Sequence, residues 1–299
     1  MLQAQTTRLA QRYGALSKAR SYCTRAHPKG TVVVVTSGKG GVGKTTTSAS
    51  FGYGLAKKGF KTCIIDFDIG LRNVDVHFGI ERRVIYDFVH VITGEAKLSQ
   101  ALVVDKENPN LQILAASQTK DKTVLDSDKL EGVMEELKSQ FDFVICDSPA
   151  GIEAGAFHAM YYSDVALICT NPETSSIQDA DKMLGFIASK SKRSENGQIV
   201  KTHLLVNRYN PARVARKEMI STDDIKTILR IPLLGVVPES TDVLSGTNVG
   251  RPVITIEGSE ASIAFTDAVD RFLGKDIPMK FLTPKNGFMD FISGFMPSN

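Results

Sequence analysis

The sequence has few cysteines, no long apolar run and, before Asp66, no acidic side chain at all. Cys23, Cys63, Cys146 and Cys169 are widely separated and form no C-x-x-C pair, which argues against a disulfide framework or a cysteine zinc site. Cys63, Cys146 and Cys169 each fall in an apolar run, so they read as reduced, buried thiols acting as small hydrophobes. No stretch of 18 apolar residues occurs, so no transmembrane helix is expected. Internal repeats and low-complexity inserts are also missing, which favours one large domain within the 299 residues.

The early lack of acid makes the charge uneven. Residues 1–30 hold Arg8, Arg12, Lys18, Arg20, Arg25 and Lys29 against no acid, so the overall +3 leaves residues 31–299 at −3. An Arg-rich, Ser/Thr/Ala-containing segment able to wind as a basic amphipathic helix around Leu2, Leu9, Tyr13 and Leu16 has the composition of an organellar transit peptide. A mitochondrial destination is expected, with a plastid as the alternative; a retained basic extension or a mis-assigned start codon reads the same way.

Short apolar runs bounded by turn residues recur at 32–35, 62–65, 111–114, 143–146, 165–169, 203–206, 233–237 and 253–256. Longer stretches of helical spacing lie between most of them, at 45–58, 130–139, 177–190 and 259–272. This alternation predicts an α/β fold: a doubly wound, mostly parallel sheet with helices on both faces. Ligands of such sheets bind beyond the carboxyl ends of the strands, so chemistry is expected just after each run.

After the first run, Gly38-Lys39-Gly40-Gly41-Val42-Gly43-Lys44-Thr45 fits G-x-x-x-x-G-K-[ST] between a strand and a helix. Its glycines let backbone N–H groups wrap a β-phosphate, Lys44 reaches the β- and γ-oxygens, and Thr45 offers a hydroxyl to Mg²⁺. Thr46 follows at the positive end of the helix. After the second run come Asp66 and Asp68, where a carboxylate meets metal or attacking water. The run 143–146 ends in Asp147, the form of a Walker B strand whose acid holds the metal. Metal ligands are thus expected from Thr45, Asp66, Asp68 and Asp147.

The stretch K-G-G-V-G-K-T-T resembles the deviant phosphate loop of the MinD/ParA ATPases. That resemblance explains the second lysine: Lys39 matches the signature lysine that reaches a partner's nucleotide across an ATP-dependent homodimer. It implies catalytic roles for Lys39, Lys44, Asp66 and Asp68, with Ile64–Asn73 as switch I and Asp147–Gly151 opening switch II. Leu205–Pro211 is similar to the family's base-binding segment, and Gly235–Glu239 to the segment closing the adenine pocket. Asn207 and Arg208, with Pro238 and Glu239, are therefore expected at the base, where an amide can both donate to and accept from an adenine edge. The resemblance runs from about Thr31 to Gly274, an ATPase domain, with Asn73 and Glu153 implied near the dimer face.

Residues 275–299 read as a linker followed by an amphipathic helix, because Phe288, Phe291, Ile292 and Phe295 fall at i, i+3, i+4 and i+7. Such a helix lies in a membrane interface without spanning it. The resemblance implies ATP and Mg²⁺ as cofactors, slow turnover without an activator, MinC-like and MinE-like partners, and placement of an organelle division site. A DNA-partition ATPase of the ParA type is the first alternative, and the net charge of the body argues against nucleic acid. An iron–sulfur protein on the same fold is the second, and it would need thiolate ligands.

Overall fold

The computed structural model describes residues 30–118, 127–151 and 154–284. The expected transit segment, the aromatic stripe Phe288–Phe295 and Glu153 lie outside the described residues.

Eight strands form one sheet: β1 (Thr31–Thr36), β2 (Thr62–Asp66), β3 (Val103–Val104), β4 (Leu111–Leu114), β5 (Phe143–Asp147), β6 (Val165–Thr170), β7 (Lys201–Tyr209) and β8 (Leu233–Pro238). Their order is β3-β4-β2-β5-β1-β6-β7-β8, and every pairing is parallel except β3 with β4. The central strands β1, β2, β5 and β6 are almost wholly buried because both faces are covered, which is why they read as continuous apolar runs.

The pleat divides the core in two. Val33 and Val35 of β1 pack with α1 (Lys44–Lys57), through Phe51 and Leu55, while Val32 and Val34 belong to the opposite layer. That opposite layer is built on α2 (Ser127–Gln140), α3 (Ala154–Tyr161), α4 (Thr174–Lys190) and α5 (Thr222–Leu229). The terminal helix α6 (Glu260–Phe272) lies with α1, its Phe272 ring meeting Phe51 edge-on at 5.0 Å. The doubly wound expectation holds, and each expected helix is found with ends displaced by no more than three residues.

One expected strand is corrected. The run 253–256 forms a single 3-10 turn, Val253–Thr255, entered from Pro252. Val253 and Ile254 bury against the α1–α6 layer, so the apolar run reflects packing rather than a place in the sheet. Proline supplies no ladder hydrogen bond, which favours the turn.

The register brings three chain ends to one edge. Asp147 is level with Val35 and with Asp66, so the exits of β1, β2 and β5 open side by side, with those of β6, β7 and β8 continuing the row.

Candidate functional site: a phosphate loop and its carboxylates

Between β1 and α1 the chain turns through Ser37–Gly43. Gly41 and Gly43 take φ of 74° and 91°, a region that a side chain disfavours. At Gly38 an added Cβ would fall 2.3 Å from the Asp179 carbonyl oxygen, so α4 presses directly on the loop. Helix α1 begins just after Gly43, with no side-chain cap and no acid in its first turn. Its first amides and positive dipole end are left for an external anion.

Lys44 is nearly buried, and its Nζ donates to Ser37 Oγ at 3.1 Å and to the Lys39 carbonyl at 3.3 Å, both neutral acceptors. Burial lowers its pKa, opposed chiefly by the charge of Asp147 and also by that of Asp68. A buried ammonium on neutral acceptors gains strongly from an arriving phosphate. The residues present therefore suit a nucleoside triphosphate.

Asp147 receives Thr45 Oγ1 at 2.8 Å and Ser48 Oγ at 2.6 Å, one on each carboxylate oxygen. Burial and then the nearby Asp66 charge push its pKa up to about 7, with Ser48, Thr45 and Lys44 pulling it down. A buried carboxylate in contact with the loop threonine is a donor set for Mg²⁺, a hard cation that takes oxygen ligands. Ser48 went unnoticed in the sequence, although its position three residues after Thr45 places it on the same helical face.

Asp66 is fully buried. Its Oδ1 accepts the Asp68 N–H at 2.8 Å and its Oδ2 accepts those of Asn73 and Val74 at 2.9 and 3.1 Å. Desolvation raises its pKa and these three amides oppose the rise. Its carboxylate thus anchors the segment Asp68–Val74, expected as part of switch I, while the Asp68 carbonyl accepts from Leu71 and Arg72 to close the turn. Asp68 itself is half-buried, close enough for its charge to act on Lys44.

Asn207 sits against the loop from the far side. Its Nδ2 donates to the Val42 carbonyl at 2.8 Å and to Thr47 Oγ1 at 3.3 Å, while its buried Oδ1 has no hydrogen-bond partner. A buried, unpaired amide oxygen is costly unless a ligand N–H completes it. Arg208 is exposed, at φ 54°, where the β7–β8 register shifts. Pro238 pairs with Tyr209, and the Glu239 N–H donates to the Tyr209 carbonyl at 3.1 Å, so the two segments expected at the base stand together.

Lys39 stands apart from Lys44. It remains on the exposed rim, where its Nζ meets Glu173 Oε2 at 3.2 Å and Ser175 Oγ at 3.1 Å. Glu173 follows β6, 134 positions along the chain, so local spacing carried no sign of this pair. The three described cysteines are fully buried in β2, β5 and β6, and burial raises each thiol, Cys169 to about 12. They are protonated core residues, unsuited to holding a cluster.

Fold and loop together define a P-loop nucleoside triphosphatase, and residues 30–200 match the AAA domain family. The septum site-determining protein MinD of Escherichia coli K12 is 54% identical over 266 residues, covering 88% of this chain and 98% of that protein. Two solved structures align closely. The MinC:MinD cell division protein complex of Aquifex aeolicus has 41% identity and a TM-score of 0.76, over 84% of this chain and 98% of that one. The septum site-determining protein MinD of Pyrococcus horikoshii OT3, complexed with Mg-ADP, has 28% identity and a TM-score of 0.71, over 81% and 95%. The chain belongs to the MinD family of ATPases.

Proposed function

We infer that this chain is an ATP-driven dimerising switch that helps to place a division site. One observation carries the reading: of two lysines five residues apart in one loop, Lys44 is buried over the phosphate groove while Lys39 is held outward on the rim. A single nucleotide needs only the first. The second suits a triphosphate bound by another copy, and a cation placed there offsets charge that grows during phosphoryl transfer.

Within one subunit the loop amides and Lys44 hold the phosphates, and Asn207 accepts from the adenine amino group. When bound, Mg²⁺ would neutralise charge on the triphosphate, and Thr45, Asp147 and Asp68 are the residues that would hold it. Asp66 acts at one remove: by fixing the Asp68, Asn73 and Val74 amides it sets where the Asp68 carboxylate stands relative to the attacking water. Placement and charge stabilisation do most of the work in such reactions. Loss of the γ-phosphate removes the attraction for the partner's Lys39, and the pair separates.

The wider setting belongs to the same proposal. The E. coli relative is septum site-determining, and the Aquifex relative assembles with MinC, which supports a division-site role and a MinC-like partner here. A MinE-like activator and slow basal turnover are inferred with them. The apolar stripe Phe288, Phe291, Ile292 and Phe295 carries little positive charge, so one copy binds a bilayer weakly and two copies joined by ATP bind it through effective concentration. The basic, acid-free residues 1–30 direct the chain to the mitochondrial matrix, or to a plastid stroma, facing the inner membrane.

Co-sedimentation with anionic liposomes in ATP and in ADP tests the switch. Binding is expected in ATP alone and is lost when Phe288 and Phe295 are replaced by Glu. ATP-dependent binding to DNA with none to lipid would favour the partition alternative instead.

A further inference from the structure

His77 was not among the expected site residues, yet its ring is engaged at both nitrogens beside the phosphate loop. It lies on the short helix Val74–Phe78, whose first amide is held by Asp66. Nδ1 is 3.1 Å from the Asn73 carbonyl, an atom that only accepts, so in the neutral ring Nδ1 carries the hydrogen. Nε2 then presents a lone pair, and 3.4 Å away stands the Thr46 hydroxyl, which must be the donor. Thr46 is the third residue of α1, in the uncapped turn that faces the anion. In this arrangement the Thr46 hydrogen is drawn towards switch I and away from the groove.

We propose that His77 is a positioning residue for the nucleotide: when protonated it donates to Thr46 Oγ1, freeing that hydroxyl's hydrogen for a phosphate oxygen, so phosphate binding and proton uptake at His77 promote each other. The step breaks no covalent bond beyond moving one proton from solvent to Nε2. Burial lowers the pKa of this ring, with the Asn73 hydrogen bond and the Asp75 charge opposing. One Asp75 oxygen is paired with Arg72, whose Nε lies 2.5 Å away, and the other is buried without a hydrogen-bond partner. The elements packed on this helix, α1 and the helix Asp242–Asn248, contribute Lys44, Tyr53, Lys57 and Asp242 as ionisable groups. A phosphate chain would add a larger negative charge than any of these, and a nearby anion favours imidazolium. Linkage makes the coupling reciprocal.

This inference rests on the phosphate-loop reading above. It is tested on the full chain by titrating Mg-ADP calorimetrically at pH 6 and pH 8, in two buffers of different ionisation enthalpy, for wild type and for His77→Gln. Glutamine keeps a polar arm at this place but cannot titrate. The expected result is that the wild-type affinity gains about three- to tenfold more from acidification than the variant does, a tenfold change corresponding to one unit of pKa. Proton uptake on binding should also fall in His77→Gln. In ¹⁵N-histidine spectra His77 should pass from the Nδ1-protonated neutral form to imidazolium when ADP is added near pH 6.5. Equal pH dependence in both proteins, or a His77 signal indifferent to ADP, overturns the proposal. A wild-type chain that binds no ADP at either pH overturns the phosphate site itself, and this inference with it.

Discussion

Replacing Asp147 by Asn should stabilise the nucleotide-free chain while damaging its response to magnesium. The acid is 1% exposed, stands level with Asp66 in the register, and has its pKa raised by burial and by that neighbour to about 7. The value of a free aspartate is 3.8. Below 3.8 both folded and unfolded chains carry the proton and no penalty exists. Between the two values the folded chain holds a proton the unfolded one has lost, so stability falls as pH rises, and above about 7 the whole penalty is present. Its ceiling is about 4 kcal/mol, at 1.36 kcal/mol for each unit. Asp66 shares the effect, and the substituted amide must turn its NH₂ towards one of the two hydroxyls that donate to the native carboxylate, so a net gain of about 1–3 kcal/mol at pH 8 is expected. At pH 5.5 the gain should shrink towards zero. Urea unfolding at the two pH values, with and without Mg-ADP, measures both halves. Equal destabilisation of Asp147→Asn at both pH values, together with an intact magnesium-dependent rise in stability, would refute the assignment of Asp147 as a strained, metal-ready carboxylate.

Three further outcomes follow from the same geometry. Asn207→Ala removes the donors to Val42 and Thr47 and the unpaired acceptor, so ADP affinity should fall by about 1–3 kcal/mol, roughly five- to 150-fold, with selectivity over GDP reduced in parallel calorimetric titrations. Gly38→Ala places a Cβ 2.3 Å from the Asp179 oxygen and should cost about 1–3 kcal/mol in unfolding experiments, since the obstacle is backbone that cannot swing aside. Glu173→Gln releases Lys39 from an exposed ion pair; the pair is worth at most about 1 kcal/mol, so ATP-dependent pairing should begin at an ATP concentration up to about fivefold lower, as read by analytical ultracentrifugation.

Much of the site was legible because its chemistry is local. Glycines that allow positive φ, a lysine and a threonine at fixed offsets, and a strand before them are all neighbours in the chain. Asp147 was legible for the same reason, as an acid closing an apolar run. Asn207 was found through family likeness, but its actual bonds, to Val42 and Thr47, join positions far apart and appear only once β7 lies beside α1. The pairing of Lys39 with Glu173 and the clasp of Asp66 on three amides were likewise hidden, since each depends on where the chain returns. The run 253–256 misled because an apolar tetrapeptide fits a buried turn as well as a strand. The two-residue strand β3 offers too short a pattern to read, and its antiparallel pairing follows from the tight return through Asn108 and Asn110 into β4.

The account turns on Lys39 serving a neighbour's nucleotide rather than its own. The most direct measurement is the mass of Lys39→Ala in solution beside the wild type, each with Mg-ATP and with Mg-ADP. Wild type should double its mass in ATP alone, and Lys39→Ala should remain single in both nucleotides; a variant that still pairs in ATP and hydrolyses it at the wild-type rate would contradict the mechanism.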